Sequence, residues 1–193
     1  MSSQRFGEVK TVQPERRIFP LFDPQFSGRV FSKGAVGQNS VEIILEDSLL
    51  DRLIKKVSHE KRREVGGVFV GGYYSYNSIE FVVIDDFIEA QYTQSRTLAV
   101  KFTHETWAAI QRDKEYLYPD RQIVGWYHTH PRSGVYFSQR DVFVHKNFFS
   151  LSWQTALVID PNNGDYSFFQ WDADEENVVE CGHYYLTNQV VIS

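Results

Sequence analysis

Cysteine and methionine each occur once in this chain, as Cys181 and Met1. A lone cysteine excludes an internal disulfide framework and fits a reducing, cytoplasmic compartment. Long apolar runs are missing too. No stretch approaches the ~18 residues of a membrane span, and MSSQRFGEVKTVQPERR at the start carries no apolar signal core. Positive charge is also scarce: 20 Lys and Arg stand against 25 Asp and Glu, and Lys61-Arg62-Arg63 is the longest basic run. That balance argues against a nucleic-acid partner. Internal repeats and low-complexity tracts are absent. What is abundant is aromatic side chain, 16% of 193 residues, within a 42% hydrophobic composition that suits one ordinary domain with a sizeable core.

Residues 1–28 contain Pro14, Pro20 and Pro24 and little periodicity, which reads as an irregular N-terminal arm. From residue 29 to 193 the pattern is that of a single domain. VEIIL (41–45) reads as a strand, and Asp47 is placed to cap a helix carrying Leu49, Leu50, Leu53, Ile54 and Val57 at helical spacing. VGGVFVGGYY and SIEFVVIDDF read as strands joined through Asn77-Ser78, with a polar connection over 85–97 and a further strand at LAVKF. THETWAAIQRDKEYL reads as a helix capped by Thr103, with Trp107, Ile110 and Ala108 inward. IVGWYHTH is a strand stopped by Pro131, SQRDVFVHKNFF a third helix, and QTALVID-PNNGD-YSFFQW a late hairpin. The tail CGHYYLTNQVVIS is either a last strand or a surface segment. Interleaved strands and helices give an α/β (α+β) class, a mixed β-sheet packed between helices.

The chemistry concentrates in GWYHTHPRSGVYFSQRD (125–141). Side chains two apart on a strand share a face, so His128 and His130 present their imidazoles side by side. Pro131 puts the pair at a strand end, beside a loop that delivers Ser138 and Asp141. Two neutral imidazoles and one carboxylate suit a catalytic Zn²⁺ and leave a fourth position for water. The same letters also have a structural reading: Ser138-x-x-Asp141 is a capping box, and HxH at a strand end is often two half-exposed histidines. The two readings are compatible, since capping places Asp141 in the first helical turn near the strand ends. A hydrolytic site further needs a carboxylate that is not a ligand, and Glu64 in EVGGVFVGG is the candidate. Taken alone, Glu64 reads as an ordinary charged residue beyond a helix end.

The combination resembles the JAMM signature of the MPN/JAB metalloprotease family. Glu64 precedes a GG-containing strand, and H-T-H-P is followed by six residues and Ser-x-x-Asp; the likeness runs over roughly residues 40–172. The resemblance implies an MPN/JAB fold of cytidine-deaminase-like kind, with one Zn²⁺ per chain held by His128, His130 and Asp141. It makes Glu64 the general acid/base for a zinc-bound water and Ser138 a donor to the oxyanion. It implies an isopeptidase that removes ubiquitin or a ubiquitin-like modifier from lysines, or trims its C-terminus. Conjugation enzymes of the same system are then expected partners, and the modifier tail is expected to bind as an added strand. Stretches 85–98 and 147–153 match the family's modifier-contacting insertions. With 22 residues after Trp171, the chain is similar to compact stand-alone bacterial members and not to the larger lid-type subunits.

Two other functions compete. One is a non-catalytic MPN scaffold, whose members usually lack a ligand; metal titration separates it. The other is an iron oxygenase with a two-histidine, one-carboxylate triad, but such enzymes place the carboxylate between the histidines, and Glu64 would have no role. Other residues read as structural. His145, one turn after Asp141, stands either near the metal or, the better fit, as filler between helix and sheet. His59 and His104 sit at helix ends, in solvent or as caps. Cys181 and His183 read as half-buried tail residues, and Gly66, Gly67, Gly71 and Gly72 as close strand packing. Alternation puts Trp126 on the ligand face and Tyr127 on the other.

Overall fold

Leucine and valine at helical spacing make the first helix, and its apolar stripe decides how the sheet is covered. In the computed structural model, which describes residues 12–38, 40–90 and 102–187, α1 spans Asp47–Val57 and buries Leu49, Leu50, Leu53 and Val57. Its cap falls one residue earlier than the expected Asp47. Glu46 is the N-cap, without a side-chain bond to the helix backbone, because strand β3 (Glu42–Glu46) runs straight into the helix. Helix α2 (His104–Leu117) is capped by Thr103, which accepts from Thr106 N. Thr106 is buried beside Ile110, while Ala108 faces solvent rather than the core. Helix α3 spans Gln139–Phe148.

The remaining strands are β1 (Glu15–Arg16), β2 (Arg29–Lys33), β4 (Gly66–Tyr76), β5 (Ile79–Glu89), β6 (Gln122–Thr129), β7 (Thr155–Ile159), β8 (Tyr166–Trp171), β9 (Val178–Cys181) and β10 (His183–Thr187). They form one mixed sheet in the order β2-β10-β3-β5-β4-β6-β7-β8-β9, with β1 pairing in parallel to β4 off that path. The tail therefore is a strand, inserted between β2 and β3. The β4–β5 hairpin turns at Asn77 and Ser78, both with positive φ (48° and 67°), as a two-residue loop with right-handed strand twist requires. Strand β5 keeps Asp85 and Asp86, which the expected SIEFVVIDDF strand and the expected 85–97 connection share, and runs on to Glu89. Arg121 pairs with Asp85 at 2.6 Å, and Arg52 and Tyr118 both bind Asp86, so these acids are neutralised within the strand. Of the expected LAVKF strand only Phe102 lies within the described residues, and it precedes α2 without strand geometry. Residues 91–101 lie outside the described residues, and with them most of stretch 85–98.

Period-two alternation splits the sheet into two faces. Ile43, Leu45, Phe69, Tyr127, Leu157 and Phe168 meet α1. Val68, Val70, Trp126, Ala156, Val158 and Phe169 face the other way, against Ile110 of α2 and Val144 of α3. The sheet is thus packed between helices, as expected. Phe19 of the N-terminal arm is buried against Phe81 and Tyr184 and covers a third cluster on β3, β4, β5 and β10. Glycine permits the closest strand contacts: a Cβ on Gly71 would land on the Val83 carbonyl oxygen, and one on Gly67 on that of Ile88.

Candidate metal centre

Strand β6 ends at the centre of the sheet, between β4 and β7, and that end carries the two histidines. His128 pairs with Gly66 on β4 and with Val158 on β7. The next residues are held just as firmly, with Thr129 N donating to Val65 O (2.8 Å) and His130 N to Ile159 O (2.9 Å). Pro131 then ends the ladder, and Arg132 and Gly134 take positive φ (66° and 80°) to turn the chain toward α3. At the start of α3 both halves of the capping box form: Asp141 N donates to Ser138 Oγ (3.2 Å) and Ser138 N donates to Asp141 Oδ2 (2.7 Å). The box fixes the Asp141 carboxylate against the strand end.

The donor groups of three residues converge as a result. His128 Nε2 lies 3.0 Å from His130 Nε2 and 3.1 Å from Asp141 Oδ1, and His130 Nε2 lies 3.4 Å from Asp141 Oδ2. All three residues are buried, at 1%, 4% and 5% exposure. Ligand bonds of about 2.0–2.1 Å arranged tetrahedrally give donor–donor edges of about 3.3–3.4 Å, comparable with the distance between the two imidazole nitrogens and from each to its nearer carboxylate oxygen. A purely hydrogen-bonded reading is harder to satisfy. If Asp141 accepts from both imidazoles, two N–H groups face each other at 3.0 Å; if only one ring carries the proton, the other turns a lone pair toward a carboxylate. A cation among the three groups resolves that conflict, so the residues present fit a metal ion. Burial alone would raise the Asp141 pKa, but bonds from His128, His130 and Ser138 outweigh it and hold the carboxyl well below its usual range. Among the described residues no second group of three such donors converges.

Glu64 does not belong to that cluster. It is half-buried, two residues before β4 and next to Val65, whose carbonyl accepts from Thr129 N between the two histidines. Thr129, given no role from the sequence, anchors this neighbourhood: its buried Oγ1 accepts from Val65 N at 2.9 Å. The signal was available in retrospect, because the residue between two same-face histidines must point away from them. Ser138 Oγ accepts from Asp141 N, and the Ser138 hydroxyl also lies against the Asp141 carboxylate. Trp126 is on the ligand face, stacked on His128, and Tyr127 is on the other, as alternation requires. His145 is fully buried and does fill space between α3 and the sheet, but it also accepts from Trp126 Nε1 at 3.0 Å. His59 and His104 are exposed. Burial raises the Cys181 thiol pKa and lowers that of His183 to about 4, and His183 packs among Tyr166, Phe168 and Tyr185.

A model of the family described as prokaryotic homologs of the JAB domain matches residues 46–172, which span α1, the sheet centre and all of the histidine–aspartate site. The chain belongs to this family. The JAB chain is similar in part to the NAD(+) hydrolase TcpA of a Theionarchaea archaeon, 45% identical over 58 residues, 30% of this chain and 18% of that protein. It is 29% identical over 114 residues to the 26S proteasome regulatory subunit RPN11 of Eremothecium gossypii, covering 56% and 35% of the two chains. It is 46% identical over 43 residues to the ubiquitin carboxyl-terminal hydrolase RPN11 of Saccharomyces cerevisiae, covering 22% and 14%. The JAB chain thus spans at most about a third of the length of these curated relatives. The solution structure of protein DSY2949 from Desulfitobacterium hafniense aligns with a TM-score of 0.51 over 72% of this chain and 89% of that one. At 15% identity it speaks to the fold alone, and with the JAB-domain match the mixed sheet packed between helices is an α/β MPN/JAB fold. No helix among the described residues is long and apolar enough to cross a membrane.

Proposed function

We propose that this chain is a zinc-dependent isopeptidase or peptidase acting on a ubiquitin-like modifier, either freeing it from a lysine or trimming its C-terminus. The observation that carries the reading is the buried convergence of His128 Nε2, His130 Nε2 and the Asp141 carboxylate within 3.0–3.4 Å of one another. These three residues would hold one Zn²⁺. When bound, the ion supplies Lewis acidity that acidifies water and polarises a carbonyl. Glu64 then takes a proton from the attacking water and gives it to the departing lysine nitrogen as the carbon–nitrogen bond breaks. Ser138 turns its hydroxyl to donate to the oxygen on which negative charge develops. The substrate class is supported by the partial similarity to a ubiquitin carboxyl-terminal hydrolase. The conjugation enzymes of the same modifier, in the cytoplasm, are the partners that reading implies.

The test is cleavage of isopeptide-linked and linear ubiquitin-like fusions by zinc-loaded protein, read by mass spectrometry of the products. Wild type is expected to cut after the modifier's terminal residue, and Glu64→Gln to retain zinc and cut nothing. A zinc-loaded wild type that binds a fusion as Glu64→Gln does and cleaves none of them would point instead to a binding module.

A further inference from the structure

A metal-bound imidazole is usually oriented by the hydrogen bond that its other nitrogen makes. At this site neither His128 Nδ1 nor His130 Nδ1, both buried, has a hydrogen-bond partner among the described residues. The His128 ring is held by stacking. Trp126, two residues earlier on the same face of β6, lies parallel to it, with centroids 4.5 Å apart and planes 12° apart. Phe149, just past α3, is parallel to the indole at 5.5 Å and 9°. Stacking alone lets a ring slide and rotate in its plane. The indole cannot, because Trp126 Nε1 donates to His145 Nδ1 at 3.0 Å in a fully buried setting. His145 stands one turn after Asp141 on α3. The helix that delivers the carboxylate therefore also fixes, through the indole, the plane of the facing imidazole.

Resting on the metal-site reading above, we propose that His145 is a positioning residue, the buried acceptor that locks Trp126 so that its indole aims His128 at the metal. Accepting on Nδ1 puts the proton of the neutral ring on Nε2. Burial, which pulls the His145 pKa down to about 4, keeps the ring in that state near neutral pH. His145 need not touch substrate or metal for this role.

The test uses full-length apo protein and Zn²⁺ and Co²⁺ as probes. Zinc affinity is measured by competition with a chromophoric chelator, and the visible spectrum of the Co²⁺-loaded protein reports ligand geometry. Three variants are compared with wild type. His145→Phe keeps a ring but removes the acceptor, His145→Asn restores an acceptor near the Nδ1 position, and Trp126→Phe keeps a stacked ring but removes the donor. Loss of an outer partner of this kind weakens metal binding about 10–100-fold. His145→Phe and Trp126→Phe are expected to show such a loss with an altered Co²⁺ spectrum. Their combination is expected to be little worse than either alone, and His145→Asn to regain most of the affinity. Wild-type affinity and spectrum in His145→Phe would overturn the proposal, as would equal losses in His145→Asn and His145→Phe, which would make His145 mere filler. A wild type that binds neither ion would overturn the metal-site reading itself, a distinct outcome.

Discussion

Thr129→Val replaces a hydroxyl by a methyl of nearly the same size at a position with no solvent access. Thr129 Oγ1 accepts from Val65 N at 2.9 Å, so the valine leaves a buried N–H without an acceptor, one residue from Glu64. An unsatisfied buried donor costs about 1–3 kcal/mol. For a chain of this size each kcal/mol lowers Tm by roughly 2–4 °C, so a loss near the middle of that range gives a fall of about 4–8 °C. The backbone bond from Thr129 N to Val65 O survives, which confines the damage to this strand end. The assay is a pair of measurements, thermal unfolding and amide exchange at Val65. Exchange is expected to rise about 5–30-fold in Thr129→Val, the factor that one or two kcal/mol represents. Thr129→Ser, which keeps the acceptor, is expected to show neither effect. Zinc content is expected to stay as in wild type, because both histidines face away from Thr129. Unchanged Val65 exchange and Tm in Thr129→Val would refute the claim that this hydroxyl secures the Glu64 segment.

Three further outcomes are expected. His145 and His183 are held neutral by burial, the latter also by the charge of Lys33, with pKa values near 4 against an ordinary 6.5. Between those values the unfolded chain binds protons that the folded chain does not, so stability is full above pH 6.5 and is lost as pH falls toward 4. The loss is at most roughly 3 kcal/mol per histidine. Urea unfolding from pH 7 to 4.5 checks this, and His145→Phe is expected to flatten the slope. Gly125→Ala would push a Cβ onto the Thr155 carbonyl oxygen and part β6 from β7; a loss of about 1–3 kcal/mol in urea unfolding, with weaker zinc binding, is expected. Leu53→Ala, removing a fully buried side chain of α1 on the face away from the site, is expected to cost about 2–5 kcal/mol while leaving zinc affinity of the folded protein unchanged.

Much of the architecture was legible because the local signals agree with the packing. The leucine stripe of α1, the Asn77-Ser78 turn and the Pro131 stop each act within a few residues, and each fell where expected. The convergence of His128, His130 and Asp141 was legible for a related reason. Strand alternation sets the two histidines on one face, and the capping box sets the aspartate in the first helical turn, so two local rules meet in space. What was not legible depends on partners remote in sequence. Where β5 ends was not legible, since Asp85 and Asp86 fitted both the SIEFVVIDDF strand and the 85–97 connection, and the cations that favour the strand, Arg121 and Arg52, come from elsewhere in the chain. The place of the tail was open because a strand that pairs with β2 and β3 on either side has no neighbour of its own in sequence. His145 read as filler because its bond to Trp126 crosses from helix to strand. Thr129 was passed over because its partner, Val65, lies 64 residues away.

The central claim is that His128, His130 and Asp141 form a metal centre, and metal content tests it most directly. Wild type, Glu64→Gln and Asp141→Ala are purified without chelator and measured by elemental analysis, before and after loading with zinc. The account predicts one zinc per chain in wild type, the same in Glu64→Gln, and loss of most of it in Asp141→Ala. A wild type that carries no zinc and cannot be loaded would contradict it, leaving the three residues as a strand end beside a capped helix.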